Sequence, residues 1–208
     1  MGTRRAIQRL EAADDSPHED HFVVIHDVTW KDYERLLAIR GERAVPRLTY
    51  LEGVLEIMSP ARSHELIKSV IGCLVETWCL EHDVVFSPYG SWTLKKRKEE
   101  RGAEADECYV FGDALEPERP DLAIEVLWTS GRIDKLEVYR KLGVREVWYW
   151  RKGRITPYVL RGERYRAATK SKFLPHLDLE ELASFIDHAP PVSAAIRAYR
   201  DRLRKRAR

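Results

Sequence analysis

Pro120-Asp121-Leu122-Ala123-Ile124-Glu125-Val126-Leu127-Trp128 is a β-like apolar run with one acid in its middle. Beyond it Arg132–Leu142 has helical spacing, with Gly143 placed to cap the C-terminus. Val144–Trp150 follows as a second strand, rich in Val and Trp. Strand, helix and strand make a unit whose two strands lie parallel, joined by a right-handed crossover. This unit sets the expected fold class: α/β (mixed α+β), with a mixed sheet flanked by helices.

Period two divides the first of these strands. Leu122, Ile124, Val126 and Trp128 share one face; Asp121, Ala123, Glu125 and Leu127 share the other. A lone strand glutamate commonly points to water. Glu125 is different because Asp106 opens a neighbouring run, Asp106–Phe111, and places a second carboxylate nearby. Two close carboxylates repel unless a proton or a cation mediates. Magnesium suits such a pair, being a hard ion held by one or two carboxylates plus waters and substrate phosphate. Lys135, at the start of the following helix, could orient the attacking water or stabilise charge on a phosphoryl group, or it could be a plain surface lysine. Two carboxylates and a lysine in this order suggest a metal-dependent phosphodiesterase. Tyr139 falls on the helix face of Lys135, four residues on, and fits a core role better than a substrate contact.

Outward from this unit, Lys31–Arg40 reads as a helix with Thr29 as N-cap and Gly41 as its stop. Arg47–Leu51 and Val54–Met58 read as a hairpin around Glu52-Gly53. Ser59-Pro60 reads as a helix start, with Pro60 at the first helical position. The helix continues to about Glu81 with apolar positions at three and four, and should be the main buried one. His64 and Glu65 lie near its start. Either could be a water-mediated metal ligand or a general base, or have no task; spacing does not choose between them. Val84–Ser87 and Ser91–Leu94 read as strands, Lys95–Arg101 as a loop, and Ile155–Leu160 with Arg164–Ala168 as a second hairpin. Asp178 is expected to cap a short helix to about Ile186, and a final amphipathic helix follows Pro190-Pro191. Residues 1–20 are polar, charged and aperiodic and are expected to be a disordered tail. Residues 21–188 form the expected single domain, and 189–208 a basic amphipathic helix.

A chain of 208 residues has room for one proper core. No apolar run approaches the roughly 18–20 residues that span a bilayer, so no membrane partner is expected. Arg4 and Arg5 are not followed by an apolar signal core, so export is not expected either. Three cysteines without a Cys-x-x-Cys argue against both a disulfide framework and a zinc site, and fit a cytoplasmic protein. Cys73 and Cys79 read as core fillers. The net charge of +2 excludes indiscriminate nucleic-acid binding. The basic charge is nonetheless clustered, at Lys95-Lys96-Arg97-Lys98 and in the last twelve residues. Each cluster could be a solvated surface or a set of phosphate contacts. There is no Gly-rich phosphate loop, Gly-x-Ser-x-Gly elbow or His-Glu-x-x-His to support another chemistry.

Ser59-Pro60-x-x-x-His64, Asp106, Pro120-Asp121-x-x-x-Glu125-Val-Leu, Lys135-x-x-x-Tyr139 and Gly143-Val144-x-Glu146-x-Trp148 occur in an order that resembles the Uma-two family of restriction-endonuclease-like proteins, within the PD-(D/E)XK nuclease superfamily. The likeness covers about residues 45–160. It implies a restriction-endonuclease-like core, with a central mixed sheet flanked by helices. It implies a DNA endonuclease dependent on Mg²⁺ (or Mn²⁺), in which Asp106 and Glu125 hold the metal and Lys135 supports the attacking water. Glu65, or His64 by the family pattern, would add a group from the first core helix. DNA as substrate and a homodimer as the assembly are further implications. The sequence departs from the family pattern at Ala105, where Pro is usual, at Leu127, where the superfamily has its lysine, and at Trp128-Thr129, where Ser-Pro is usual. An alternative of another class is a nucleic-acid-binding or oligomeric scaffold that keeps the fold without catalysis. A third is a hydrolase of other phosphoesters.

Overall fold

A computed structural model describes residues 20–127, 133–186 and 191–206. The segment up to residue 19, and with it most of the expected tail, lies outside the described residues, as do Trp128, Thr129 and Arg132. Among the described residues the order is β1 (His21–Ile25), α1 (Trp30–Arg40), β2 (Arg47–Leu51), β3 (Val54–Ser59), α2 (Arg62–Glu81), β4 (Phe86–Pro88), β5 (Thr93–Lys96), β6 (Arg101–Glu104), β7 (Glu107–Phe111), β8 (Leu122–Val126), α3 (Lys135–Leu142), β9 (Glu146–Arg151), β10 (Arg154–Arg161), β11 (Arg164–Ala167), α4 (Leu179–Ser184) and α5 (Val192–Arg206).

The strands form two sheets. One is antiparallel, in the order β1-β3-β2-β6-β5; the other is mixed, in the order β11-β10-β9-β8-β7-β4. The expected mixed sheet is the second. Its parallel pair is β8 with β9, Glu125 lying opposite Tyr149, and its other pairs are antiparallel. The antiparallel sheet adds to the expected architecture. Two of its strands are not among those expected: β1 (His-Phe-Val-Val-Ile) follows a polar stretch, and β6 (Arg-Gly-Ala-Glu) is short and half charged.

Local chemistry places the helices. Thr29 accepts from the Asp32 amide, and the Gly41 amide closes on the Leu37 carbonyl, so α1 begins and ends where the sequence indicates. Asp134 caps α3 through the Leu136 amide, and Gly143 ends it in the left-handed region that glycine adopts most readily. Asp178 caps α4 twice. The start of α2 differs from expectation. Ser59 finishes β3, and the helix begins at Arg62 after an Ala61 N-cap that has no side-chain bond. The Ala61 amide is satisfied instead by Asp20 Oδ1 at 2.8 Å.

Three cores result. On one face of the mixed sheet Leu122, Ile124, Val126, Trp148 and Trp150 pack against α2, α4 and α5. On the other face Cys108, Ala123 and Val147 pack against Val138 and Tyr139 of α3 and against Leu94 and Ala103 of the antiparallel sheet. The far side of that second sheet is covered by α1 through Trp30, Tyr33 and Leu37 on Leu48, Tyr50 and Leu55. The α3 helix therefore lies between the sheets. Gly102 of β6 is needed there, because a Cβ at that position would run into the Tyr33 ring. Cys79 is buried as expected, but Cys73 is exposed, on the side of α2 turned away from the sheet.

Candidate active site between the two sheets

The register of β7 on β8 pairs Glu107 with Ile124 and Cys108 with Ala123. One step further along both strands, Asp106 comes opposite Glu125. Cys108 and Ala123 belong to the core beside α3, so by the period of two Asp106 and Glu125 face that side as well. Both carboxylates have no solvent exposure. Glu107 points the other way, toward Gly72 of α2.

A buried carboxylate is tolerated only when it is paired and hydrogen-bonded. Glu125 Oε2 accepts from Lys135 Nζ at 2.5 Å, and Oε1 accepts from the Tyr139 hydroxyl. Lys135 and Tyr139 are four apart on α3, so one helix face supplies both donors. Burial, with the Glu125 charge behind it, pushes the Tyr139 hydroxyl well above its ordinary value, so it remains a donor. Lys135 thus reaches Glu125 from the helix, while Leu127, two residues after the glutamate, carries no charge.

Asp106 is held by three groups. Its Oδ2 accepts from the Val126 amide at 2.7 Å and lies 3.0 Å from His64 Nε2, while Oδ1 pairs with Arg47 Nη1. Arg47 continues to Glu65, its Nη2 lying 2.5 Å from Oε1. His64 turns its other ring nitrogen to Asp20 Oδ2 at 2.9 Å. His64 and Glu65 are therefore both at the site, in different settings. His64 is fully buried between two aspartates, whereas the Glu65 side chain is 40% exposed at the rim, with Lys68 3.2 Å from its other oxygen. Arg47 and Thr49 alternate with Leu48 and Tyr50 along β2, so the polar pair faces Asp106 and the mixed sheet while the apolar pair faces α1. Glu56 of β3, also buried, accepts from the Ile133 amide at the approach to α3.

Arg47, Asp20 and Glu56 carry little signal in the sequence. Arg47 sits in a hairpin strand where a surface arginine is ordinary, and Asp20 ends an acidic stretch. The one available signal was the alternation Arg-Leu-Thr-Tyr, with apolar residues on a single face of β2.

The donor set is oxygen-rich and acidic. Asp20, Glu56, Asp106 and Glu125 are buried, against the buried cations Arg47 and Lys135 and the His64 ring. Among the described residues no group of three or more His, Cys, Asp or Glu is arranged as a complete metal cage. This composition excludes a Cys/His zinc centre. Two protein carboxylates suit Mg²⁺, which keeps most of its shell as water and phosphate.

The basic segments sit apart from one another. Lys95 and Lys96 lie on the edge strand β5, exposed, near Glu34 and Glu99 respectively. The terminal helix α5 packs through Tyr199 and Leu203 on the face of the mixed sheet opposite Glu125. Its Arg202, Arg204 and Arg206 pair with Glu181 and Glu81. No described helix is long and apolar enough to cross a membrane.

Comparison with known proteins follows this geometry. A crystal structure of a putative nuclease belonging to DUF820, from Anabaena variabilis, superposes with a TM-score of 0.50 at 14% identity, covering 76% of this chain and 99% of that one. At that identity the likeness is one of fold. A search of the curated proteins returns no match. The family model for Uma2, described as putative restriction endonuclease, matches residues 30–186, which takes in the mixed sheet, the antiparallel sheet except β1, and α1 to α4. The chain belongs to the Uma2 family.

Proposed function

We propose that this protein is a metal-dependent phosphodiester hydrolase, a DNA endonuclease of the PD-(D/E)XK type. The observation that carries the reading is the pair Asp106 and Glu125: fully buried, opposite one another on adjacent strands, on the face of the mixed sheet turned toward α3 and the antiparallel sheet. Asp106 and Glu125 would hold Mg²⁺ or Mn²⁺. The bound ion supplies positive charge to the scissile phosphate and acidifies a coordinated water.

The protein's own groups do the rest. Tyr139 and Lys135 fix the Glu125 carboxylate from one helix face, and the Val126 amide and His64 fix Asp106. Lys135 Nζ, on the cleft side of α3, is the group that supports the attacking water and the charge growing on phosphate. Arg47 balances Asp106 and Glu65. Glu65, at the exposed rim, is better placed than His64 to meet a substrate-bound water, since His64 is closed in by Asp20 and Asp106. A homodimer would offer one site to each strand of duplex DNA.

One observation favours the scaffold alternative. Every oxygen of Asp106 and Glu125 already accepts from a protein donor, which a purely structural ion network would also show. Supercoiled plasmid with Mg²⁺ or Mn²⁺ separates the two. Nicking by the wild type that falls at least about a hundredfold in both Asp106→Ala and Glu125→Ala supports the nuclease. Cleavage surviving in both variants rejects the assigned site, and DNA binding without cleavage under either ion favours the scaffold.

A further inference from the structure

The mixed sheet carries a second feature on the face that holds Asp106 and Glu125. Its edge strand β4 pairs with β7 so that Pro88 lies opposite Tyr109, and the next residue, Tyr89, donates its amide to the Cys108 carbonyl at 2.9 Å. Tyr89 therefore continues the row Cys108–Ala123, which is one row, about 7 Å along the strand, from the row Asp106–Glu125. Its ring stacks on that of Trp92, with centroids 4.9 Å apart and planes inclined by 28°. Trp92 packs against the core beside α3 that Cys108 and Ala123 belong to. The Cys108 thiol bonds the Gly90 carbonyl at 3.2 Å, tying the turn between the two aromatics to the same strand.

Packing accounts for Trp92 but not for Tyr89, which is 40% exposed. Six residues beyond Tyr89 the chain enters the exposed Lys95 and Lys96. An anchored aromatic pair one row from the two buried carboxylates, with lysines on the strand that follows, is the pattern of a stacking surface beside a phosphate path. In a closed duplex each base already has both faces covered by its neighbours. The ligand such a surface takes is an unpaired base.

We infer that Tyr89, supported by Trp92, forms a stacking platform for an unpaired nucleobase next to the candidate active site, so that the preferred ligand is DNA with single-stranded or splayed nucleotides. The inference rests on the nuclease reading for its location, but its test needs neither metal nor cleavage.

Binding of a labelled short oligothymidine is measured in EDTA by fluorescence anisotropy, alongside a duplex of the same length and an abasic oligomer that keeps only sugar and phosphate. The expected result is that the wild type prefers oligothymidine to both. Tyr89→Ala and Trp92→Ala each lose about tenfold on oligothymidine, and Tyr89→Phe keeps the wild-type affinity. Neither Ala variant changes binding to the abasic strand. Far-UV circular dichroism and melting confirm that the variants fold. Equal affinity of wild type and Tyr89→Ala for oligothymidine overturns the platform, as does an equal loss on the abasic strand or a wild type that binds the duplex better. A failed nuclease reading shows differently, as absent plasmid cleavage with the oligothymidine preference intact.

Discussion

Replacing Lys135 by Met tests whether the buried ion pair at Glu125 is real. The methionine keeps most of the volume of the lysine stem but removes the ammonium. Glu125 has no solvent exposure and would retain only the Tyr139 hydroxyl as partner. Stranding one partner of a buried pair costs about 3–5 kcal/mol. In a chain of 208 residues that corresponds to a fall in Tm of about 6–20 °C. Urea or thermal denaturation in EDTA reads the loss. Glu125→Gln should lose less, because the Lys135 side chain is 10% exposed and can turn its head to water. The double variant Glu125→Gln/Lys135→Met should recover more than half of the loss seen in Lys135→Met, since no charge is then left buried. A loss below about 1 kcal/mol in Lys135→Met, or no recovery in the double variant, would refute the reasoning, because a solvated pair behaves in that way.

Arg47→Met removes the cation that bridges Asp106 and Glu65. It should destabilise the metal-free protein by about 3–5 kcal/mol, and added Mn²⁺ should raise the melting temperature more in the variant than in the wild type; an equal or smaller Mn²⁺ shift in the variant counts against a cation site at Asp106. Glu76 of α2 accepts from the Tyr109 hydroxyl, and burial raises its carboxyl above the ordinary value. A carboxyl raised on folding contributes stability that is full below its unfolded value and lost as pH climbs through the folded one. Glu76→Gln should therefore be more stable than the wild type at neutral pH, and the gap should close as pH falls toward 4.5, the ordinary value; urea denaturation across that range checks it, and a gap independent of pH is the contrary result.

The alternation in Leu122–Val126 and the helical spacing closed by Gly143 indicate β8, α3 and β9 from local chemistry, and the structure keeps all three, with α3 beginning at Lys135 behind an Asp134 cap. The same alternation already put Glu125 on the face of Ala123, and this holds because side-chain direction in a strand depends only on residue parity. Strand pairing is another matter. The short β6 has little propensity of its own and becomes a strand because β2 offers it an edge, while β1, though rich in Phe, Val and Ile, finds its partner only in β3. For the same reason a stretch that reads as the loop Lys95–Arg101 holds the end of β5 and the first residue of β6.

Sequence order singled out Asp106 and Glu125 as a pair on neighbouring strands. It could not determine what surrounds them, because the partners of Asp106 come from residues 47, 64 and 126, on three other elements. Arg47 looks like any strand arginine until the antiparallel sheet turns it inward, and Asp20 looks like part of a tail until it meets the Ala61 amide and His64. Lys135 was legible as a candidate but not as the counter-ion of Glu125; the return of α3 between the two sheets brings its ammonium to 2.5 Å. Burial then decides the rest, since a charge removed from water must find its partner in space, wherever that partner lies along the chain.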